Sequence, residues 1–182
     1  NGINIDLFKA SCDIKDNVRA KLQLKHNQKM VVAVGRNDVP KDYPNMLNAI
    51  SLLPSNENFK LFIVGLDVEE LQPEIVKLGV SNNIELLGLR KDVDQLMAAA
   101  DILLMSSAWE GLPIVIGEAM ASECNIVTTD AGGCKEWLTH SEAPVPVKNS
   151  QALADALQSK LTLNDEDLTT IGKANRNHIV QQ

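Results

Sequence analysis

Aromatic side chains are nearly missing from this chain. Phe, Trp and Tyr make up 3% of its 182 residues, so Leu, Ile, Val and Ala must fill any core. Positive charge is also in deficit: 17 Lys and Arg stand against 24 Asp and Glu, a formal net charge of −7. That balance argues against a nucleic-acid groove and against broad contact with anionic lipid. It leaves room for a phosphate ligand, because two or three well-placed cations outweigh distant acids that salt screens. Cysteine is sparse. Cys12, Cys124 and Cys134 lie far apart and form no CxxC pair. Neither a zinc site nor a disulfide framework is expected, and the thiols read as reduced residues of a cytosolic protein. No apolar run reaches the roughly 20 residues that span a bilayer; the best, 96–105, is broken by Asp101. No signal peptide is visible. The chain opens on Asn1 rather than Met, and it is expected to be a fragment.

What is present suits one α/β domain over 1–182. Apolar residues make up 45% and charged residues 23%, both ordinary for a globular chain. Residues 1–29 read as a lead-in segment, with a turn at Asn1-Gly2 and a polar helix from Asp16 to Leu24. From Met30 onward, short apolar runs alternate with amphipathic stretches. The runs are 31–34, 61–64, 84–87, 102–105 and 126–127. They are too short for helices and lack period-two alternation, as suits strands buried on both faces of a parallel sheet. Between them, helical spacing recurs at Met46, Ile50 and Leu53; at Leu71, Ile75 and Leu78, with Gly79 as a C-cap; at Val93, Leu96, Met97 and Ala100; at Ile116, Ala119 and Met120; and at Ala152, Leu153, Ala156 and Leu157. The tail after Asn164 is polar and helical. This alternation predicts a doubly wound, Rossmann-like parallel sheet with helices on both faces.

Open parallel sheets bind ligands beyond the carboxyl ends of their strands, so the residues after each run matter most. Gly35, Arg36 and Lys41 follow the first. Gly65 follows the second, and Gly88, Leu89 and Arg90 the third. Ser106, Ser107, Trp109, Glu110, Gly111, Leu112 and Pro113 follow the fourth, and Thr128 to Gly133 the fifth. Pro113 suits the first turn of a helix, and Gly111 lets backbone approach a ligand. The helix they open would aim free N–H groups and a positive dipole end at the crevice, a site for phosphate. Arg36 and Lys41 add charge-assisted bonds. Glu118, inside that helix, suits the vicinal hydroxyls of a ribose.

The stretch from Trp109 to Met120 carries two glutamates, Glu110 and Glu118, separated by seven residues. Together with Gly35-Arg36, the Lys41–Pro44 stretch, Leu87–Arg90, Thr129–Gly133 and Glu136, it resembles the C-terminal domain of retaining glycosyltransferases of the GT-B fold, in particular family 4. The resemblance runs from Asn1 to at least Leu138. It implies that Arg36 and Lys41 hold the diphosphate of a nucleoside-diphosphate sugar, a UDP- or GDP-sugar above all, and stabilise it as it leaves. It implies that backbone from Leu112 to Ile114 faces the phosphates or ribose, and that Glu118 binds the ribose. Glu110 would face the donor sugar or reacting centre, and Leu89 and Arg90 would frame the base. No metal or other cofactor is implied. The acceptor, a glycan or a lipid-linked saccharide, would be held by an N-terminal domain outside this chain. The expected location is the cytoplasm, or the cytoplasmic face of a membrane. One departure stands out: family members carry a second Gly two positions after the one aligned with Gly65, where this chain has Asp67. That loop is expected to approach the ligand less closely.

Blander readings accompany each residue. Arg36 could pair with Asp38 or Asp42, and Glu118 could be a solvated helix residue. Asp92 and Asp94 imitate a metal-binding pair, but at a helix start Asp92 reads as a cap. Trp109 either stacks on sugar or braces its loop. His26, His140 and His178 read as surface groups, and Cys134 as unreactive. Two rivals for the whole chain are a nucleotide-sugar epimerase of the same fold and a non-catalytic flavodoxin-like binding module. The second would need Asp clusters at strand ends, where this chain offers Arg, Lys and Glu.

Overall fold

A computed structural model describes residues 3–55, 57–139 and 142–181. The Asn1-Gly2 turn and His140 lie outside the described residues. Five strands form one parallel sheet: β1 (Lys29–Val34), β2 (Phe59–Val64), β3 (Ile84–Gly88), β4 (Ile102–Met105) and β5 (Asn125–Thr128), in the order β3-β2-β1-β4-β5. Every apolar run read as a strand is one. Seven α-helices are described: α1 (Cys12–Lys21), α2 (Tyr43–Ser51), α3 (Gln72–Lys77), α4 (Val93–Ala99), α5 (Ile114–Ala121), α6 (Ser150–Leu161) and α7 (Asp165–Val180).

Strand residues alternate between two cores. Val31, Ala33, Leu61, Ile63, Ile102, Leu104 and Val127 pack under α2, α3 and α6. Met30, Val32, Phe62, Val64, Leu103, Met105 and Ile126 pack under α1, α4, α5 and α7. Both faces are covered, which is why the strands read as continuous apolar runs. Aliphatic residues fill most of both layers; among the described residues, Phe59 and Phe62 are the only aromatics in the set of largest fully buried side chains.

Several local expectations shift. The first helix spans Cys12–Lys21 rather than Asp16–Leu24, because Gln23 turns left-handed at φ 55° and ends it. Its early start is fixed by charge. Lys15 Nζ reaches Asp101 Oδ1 at 2.8 Å and Arg19 Nη1 reaches Asp101 Oδ2 at 3.0 Å, while the Met30 N–H donates to the same carboxylate at 2.7 Å. Burial pushes the Asp101 carboxyl up, but Lys15, Arg19 and that amide together hold it below the usual range. The lead-in is thus part of the packed body. Leu53 lies past the end of α2, though it still packs on the core. The Leu71–Leu78 stripe divides into a 3₁₀ turn (Val68–Leu71) and α3, with Pro73 opening the helix. Gly79, at φ 72°, follows as expected.

Beyond β5, residues 142–145 cover the edge of the sheet. Val145 bonds both Thr128 and Asp130 through backbone, and Glu142 Oε1 accepts the Ile126 N–H at 2.8 Å where a neighbouring strand would offer a carbonyl. Lys160 Nζ lies 3.2 Å from the same oxygen. At the opposite corner Arg176 of α7 donates to the carbonyls of Phe8, Ile5 and Ala121, tying the N-terminal segment to the end of α5.

Candidate functional site

The strand order reverses between β1 and β4, so their carboxyl ends lie side by side. The loops that follow are stitched together. The Ala108 N–H donates to Pro40 O at 2.7 Å, and Ser106 Oγ donates to Lys41 O at 2.8 Å. Lys41 Nζ then bonds Glu110 Oε1 at 2.6 Å. The two side chains are 21% and 16% exposed, so the pair is shielded but open to a ligand. Two predicted site residues 69 positions apart in the chain therefore meet.

Glycines make these close approaches possible. At Gly65 a Cβ would stand 1.9 Å from Gly35 O. The Gly35 N–H bonds Val64 O, and the Gly65 N–H bonds Gly88 O, both at 2.9 Å. The ends of β1, β2 and β3 are thereby zipped into one rim. Gly132 adopts φ 59°, and a Cβ there would stand 1.9 Å from Glu110 O; one on Gly133 would stand 2.5 Å from Gly111 O. The Gly132-Gly133 turn is the floor on which the Glu110-Gly111 backbone rests. Gly111 itself faces open space: a Cβ there would meet nothing within 4 Å.

Arg36 is exposed, and no ion pair holds it among the described residues. Asp42 instead accepts from the Asn45 N–H and caps α2. Glu118 is half-buried, and its carboxylate takes no hydrogen bond among the described residues; burial raises the carboxyl above the usual range. A fully solvated helix residue would not show that shift. The structure brings Lys41, Glu110, Gly35, Gly65 and Gly111 into one stitched rim. Among the described residues no side-chain hydrogen bond or ion pair joins Arg36 or Glu118 to that group, although Arg36 sits on the β1 loop against Gly65 and Glu118 on the helix that the Glu110 loop opens.

Two placements correct the sequence reading. Pro113 precedes the helix, with extended backbone at ψ 97°, and α5 starts at Ile114. Asp92 stands at the cap position of α4 but makes no capping bond there. Its carboxylate takes both Arg90 Nε at 2.8 Å and Arg90 Nη2 at 2.7 Å. That fork draws the Asp92 carboxyl down and occupies the Arg90 guanidinium. Asp67 adopts a left-handed turn at φ 62°, which Asp tolerates; its carbonyl accepts from Asn37 Nδ2 at 3.2 Å. Among the described residues, no group of three or more His, Cys, Asp or Glu is placed to hold a metal ion.

Leu89 is 76% exposed and Trp109 64%. Trp109 therefore does not brace its loop from within. Leu112 and Ile114 are also exposed, so apolar surface flanks the rim. Two clefts of about 620 Å³ open instead near the amino ends of the strands, one beside Lys21, Lys25 and Lys60, the other beside Lys15, Arg19 and Lys29. At the carboxyl rim a cavity of about 10 Å³ lies among Lys41, Tyr43, Ser106 and Ser107. Size favours the amino edge, but chemistry favours the rim. Lys15, Arg19 and Lys29 are already paired, whereas the rim sits at the switch point where such sheets bind ligands.

Sequence reasoning assigned no role to Ser106, Ser107, Thr129 or Tyr43. Tyr43 Oη donates to Gly35 O at 3.0 Å, and Thr129 Oγ1 donates to Ser107 O at 2.6 Å. The signal was a hydroxyl three positions before Glu110, which suits a local side-chain turn.

The family model described as glycosyl transferases group 1 matches residues 14–178. The chain is similar to the lipopolysaccharide glucosyltransferase WaaG of Escherichia coli K12, 29% identical over 150 residues that cover 79% of this chain and 40% of WaaG. It is similar also to a Campylobacter jejuni α-1,4-N-acetyl-D-galactosaminyltransferase acting on an undecaprenol-linked saccharide, 31% identical over 145 residues covering 77% of this chain and 40% of that enzyme. Among solved structures, Anabaena HepE in complex with UDP-glucose superposes with a TM-score of 0.87 at 29% identity, covering all of this chain and 51% of HepE. The chain spans about half the length or less of these relatives. No described helix is long and apolar enough to cross a membrane.

Proposed function

Since the chain belongs to the group 1 glycosyl transferases, we propose that it is the donor-binding half of a glycosyltransferase that moves a sugar from a nucleoside diphosphate to a glycan or lipid-linked acceptor. The acceptor is held by an N-terminal domain outside this sequence, and the enzyme works at the cytoplasmic side, in the building of a surface polysaccharide. Support for the nucleotide comes from HepE, solved with UDP-glucose. Support for the acceptor class comes from the names of WaaG and the Campylobacter enzyme.

The observation that carries the reading is the Lys41–Glu110 contact at the switch point. Arg36, unpaired and exposed, takes the diphosphate with Lys41. At the N-terminus of α5, Leu112 and Ile114 present backbone N–H groups to the same phosphates, while Pro113 between them has none to give. Glu118 accepts from the ribose hydroxyls, which compensates a half-buried carboxylate that otherwise lacks a partner. Glu110 accepts from the donor sugar. Leu89 and Arg90 border the base, with Arg90 acting through backbone because Asp92 holds its side chain.

Transfer breaks the bond between the anomeric carbon and the diphosphate oxygen. It forms a bond from that carbon to an acceptor hydroxyl oxygen, whose proton passes to the departing diphosphate. Negative charge grows on the leaving group as the first bond stretches, and preorganised cations bind it more strongly at that moment. The reaction retains anomeric configuration and uses no metal. This half alone leaves one wall of the cleft open, so it binds nucleotide weakly and transfers no sugar.

Calorimetry with UDP, GDP and ADP tests the reading. One of them is expected to bind, and Arg36→Ala is expected to weaken that diphosphate roughly tenfold or more while sparing the matching nucleoside. Silence for all three would favour a binding module of another kind. Equal losses for nucleoside and diphosphate would remove Arg36 from the phosphate site.

A further inference from the structure

Ser107 is the second residue after β4 and is fully buried. Its hydroxyl donates to Glu110 Oε1 at 2.7 Å, the oxygen that also takes Lys41 Nζ at 2.6 Å. The Ser107 carbonyl is fixed in turn by Thr129 Oγ1 at 2.6 Å, and the Thr129 N–H by Met105 O at 3.1 Å. Two donors thus converge on one carboxylate oxygen. Glu110 Oε2 takes no hydrogen bond among the described residues. We propose that Ser107 is a positioning residue for the donor sugar: it pins Glu110 by one oxygen and leaves the other to accept from a sugar hydroxyl.

The inference rests on the donor-binding reading and explains a difficulty within it. Lys41 has one ammonium and two anionic partners, Glu110 and the incoming diphosphate. If Lys41 alone held Glu110, phosphate binding would loosen the carboxylate when the sugar needs it. Ser107 is neutral, and its one hydroxyl proton is already given to Glu110 Oε1. It keeps Glu110 in register while Lys41 turns to the leaving group. Buried in the rim and anchored through Thr129, it holds a single geometry with little entropy left to lose.

The test compares two ligands on the 182-residue chain. UDP, GDP and ADP are each titrated beside the corresponding glucose conjugate, in wild type, Ser107→Ala, Glu110→Gln and the double variant. For the nucleotide that wild type binds, Ser107→Ala is expected to weaken the sugar conjugate about fivefold and to leave the free diphosphate within about twofold. In the Glu110→Gln background, adding Ser107→Ala is expected to cost nothing more. Equal weakening of both ligands, no weakening, or full additivity with Glu110→Gln would overturn the proposal. If wild type binds no diphosphate at all, the donor reading itself fails, a result distinct from any of these.

Discussion

Gly111 and Gly132 touch the same loop yet are expected to answer oppositely to an added methyl. At Gly132 the new Cβ would stand 1.9 Å from Glu110 O, on a residue already at φ 59°. A carbon and an oxygen need more than about 3 Å, so the Glu110 backbone must retreat by more than an ångström. That retreat is opposed by the Ala108–Pro40 and Gly133–Gly111 hydrogen bonds. Left-handed backbone adds roughly 1–2 kcal/mol, and overpacking against backbone roughly 1–3 kcal/mol, for a total of about 2–5 kcal/mol. In a domain of this size that lowers Tm by about 4–20 °C. At Gly111 a methyl meets no atom within 4 Å and the backbone is not left-handed, so Tm should stay within about 2 °C. Its effect should appear on ligand instead: nucleoside diphosphate binding is expected to weaken, because the methyl would occupy the approach proposed for the phosphates at the α5 N-terminus. Differential scanning calorimetry and titration on the two variants suffice. A Gly132→Ala chain as stable as wild type, or a Gly111→Ala chain less stable than it, would refute the reasoning.

Further outcomes follow from the charged contacts. Lys41→Met and Glu110→Gln should show a coupling of about 1–2 kcal/mol in a double-mutant cycle of unfolding; simple additivity in denaturant midpoints would contradict the contact. Asp101→Asn should cost about 3 kcal/mol near neutrality, since Lys15 and Arg19 lose their shared anion. The Asp101 carboxyl is depressed in the fold, so its contribution is present above about pH 4 and lost as pH falls through the folded value. The gap between wild type and Asp101→Asn should therefore close in acid. Glu142 behaves in the opposite sense: burial raises its carboxyl, outweighing the Ile126 amide and Lys160. Its favourable contribution is present below about pH 4.5 and lost as pH rises through the folded value. Relative to wild type, Glu142→Gln should gain stability as pH rises above about 4.5, and a pH-independent difference in Tm would count against this.

The sheet was legible because burial on both faces writes itself as unbroken Val, Ile and Leu runs, which nothing else in the chain imitates. Helix ends were less so. The start of α1 is set by Asp101, some 80 residues away in sequence, and no local signal reports that. Asp92 looked like a cap because caps are Asp at helix starts, but a guanidinium two residues earlier outcompetes the amides. The rim was half legible. Gly35, Lys41 and Glu110 stood out by type and order, since strand ends must carry the ligand chemistry. Ser107 did not, because a serine after a strand is ordinary until it and a lysine from another loop are seen to share one oxygen of Glu110.

Arg176 binds carbonyls at Ile5, Phe8 and Ala121 with one guanidinium. The opening stretch, the closing helix and the foot of α5 are thus fastened at a single knot. A displacement imposed on either end of the domain is passed through that knot to α5, whose other end borders the crevice. Swinging the domain on a neighbour by its ends would tug on the same helix that carries Glu118.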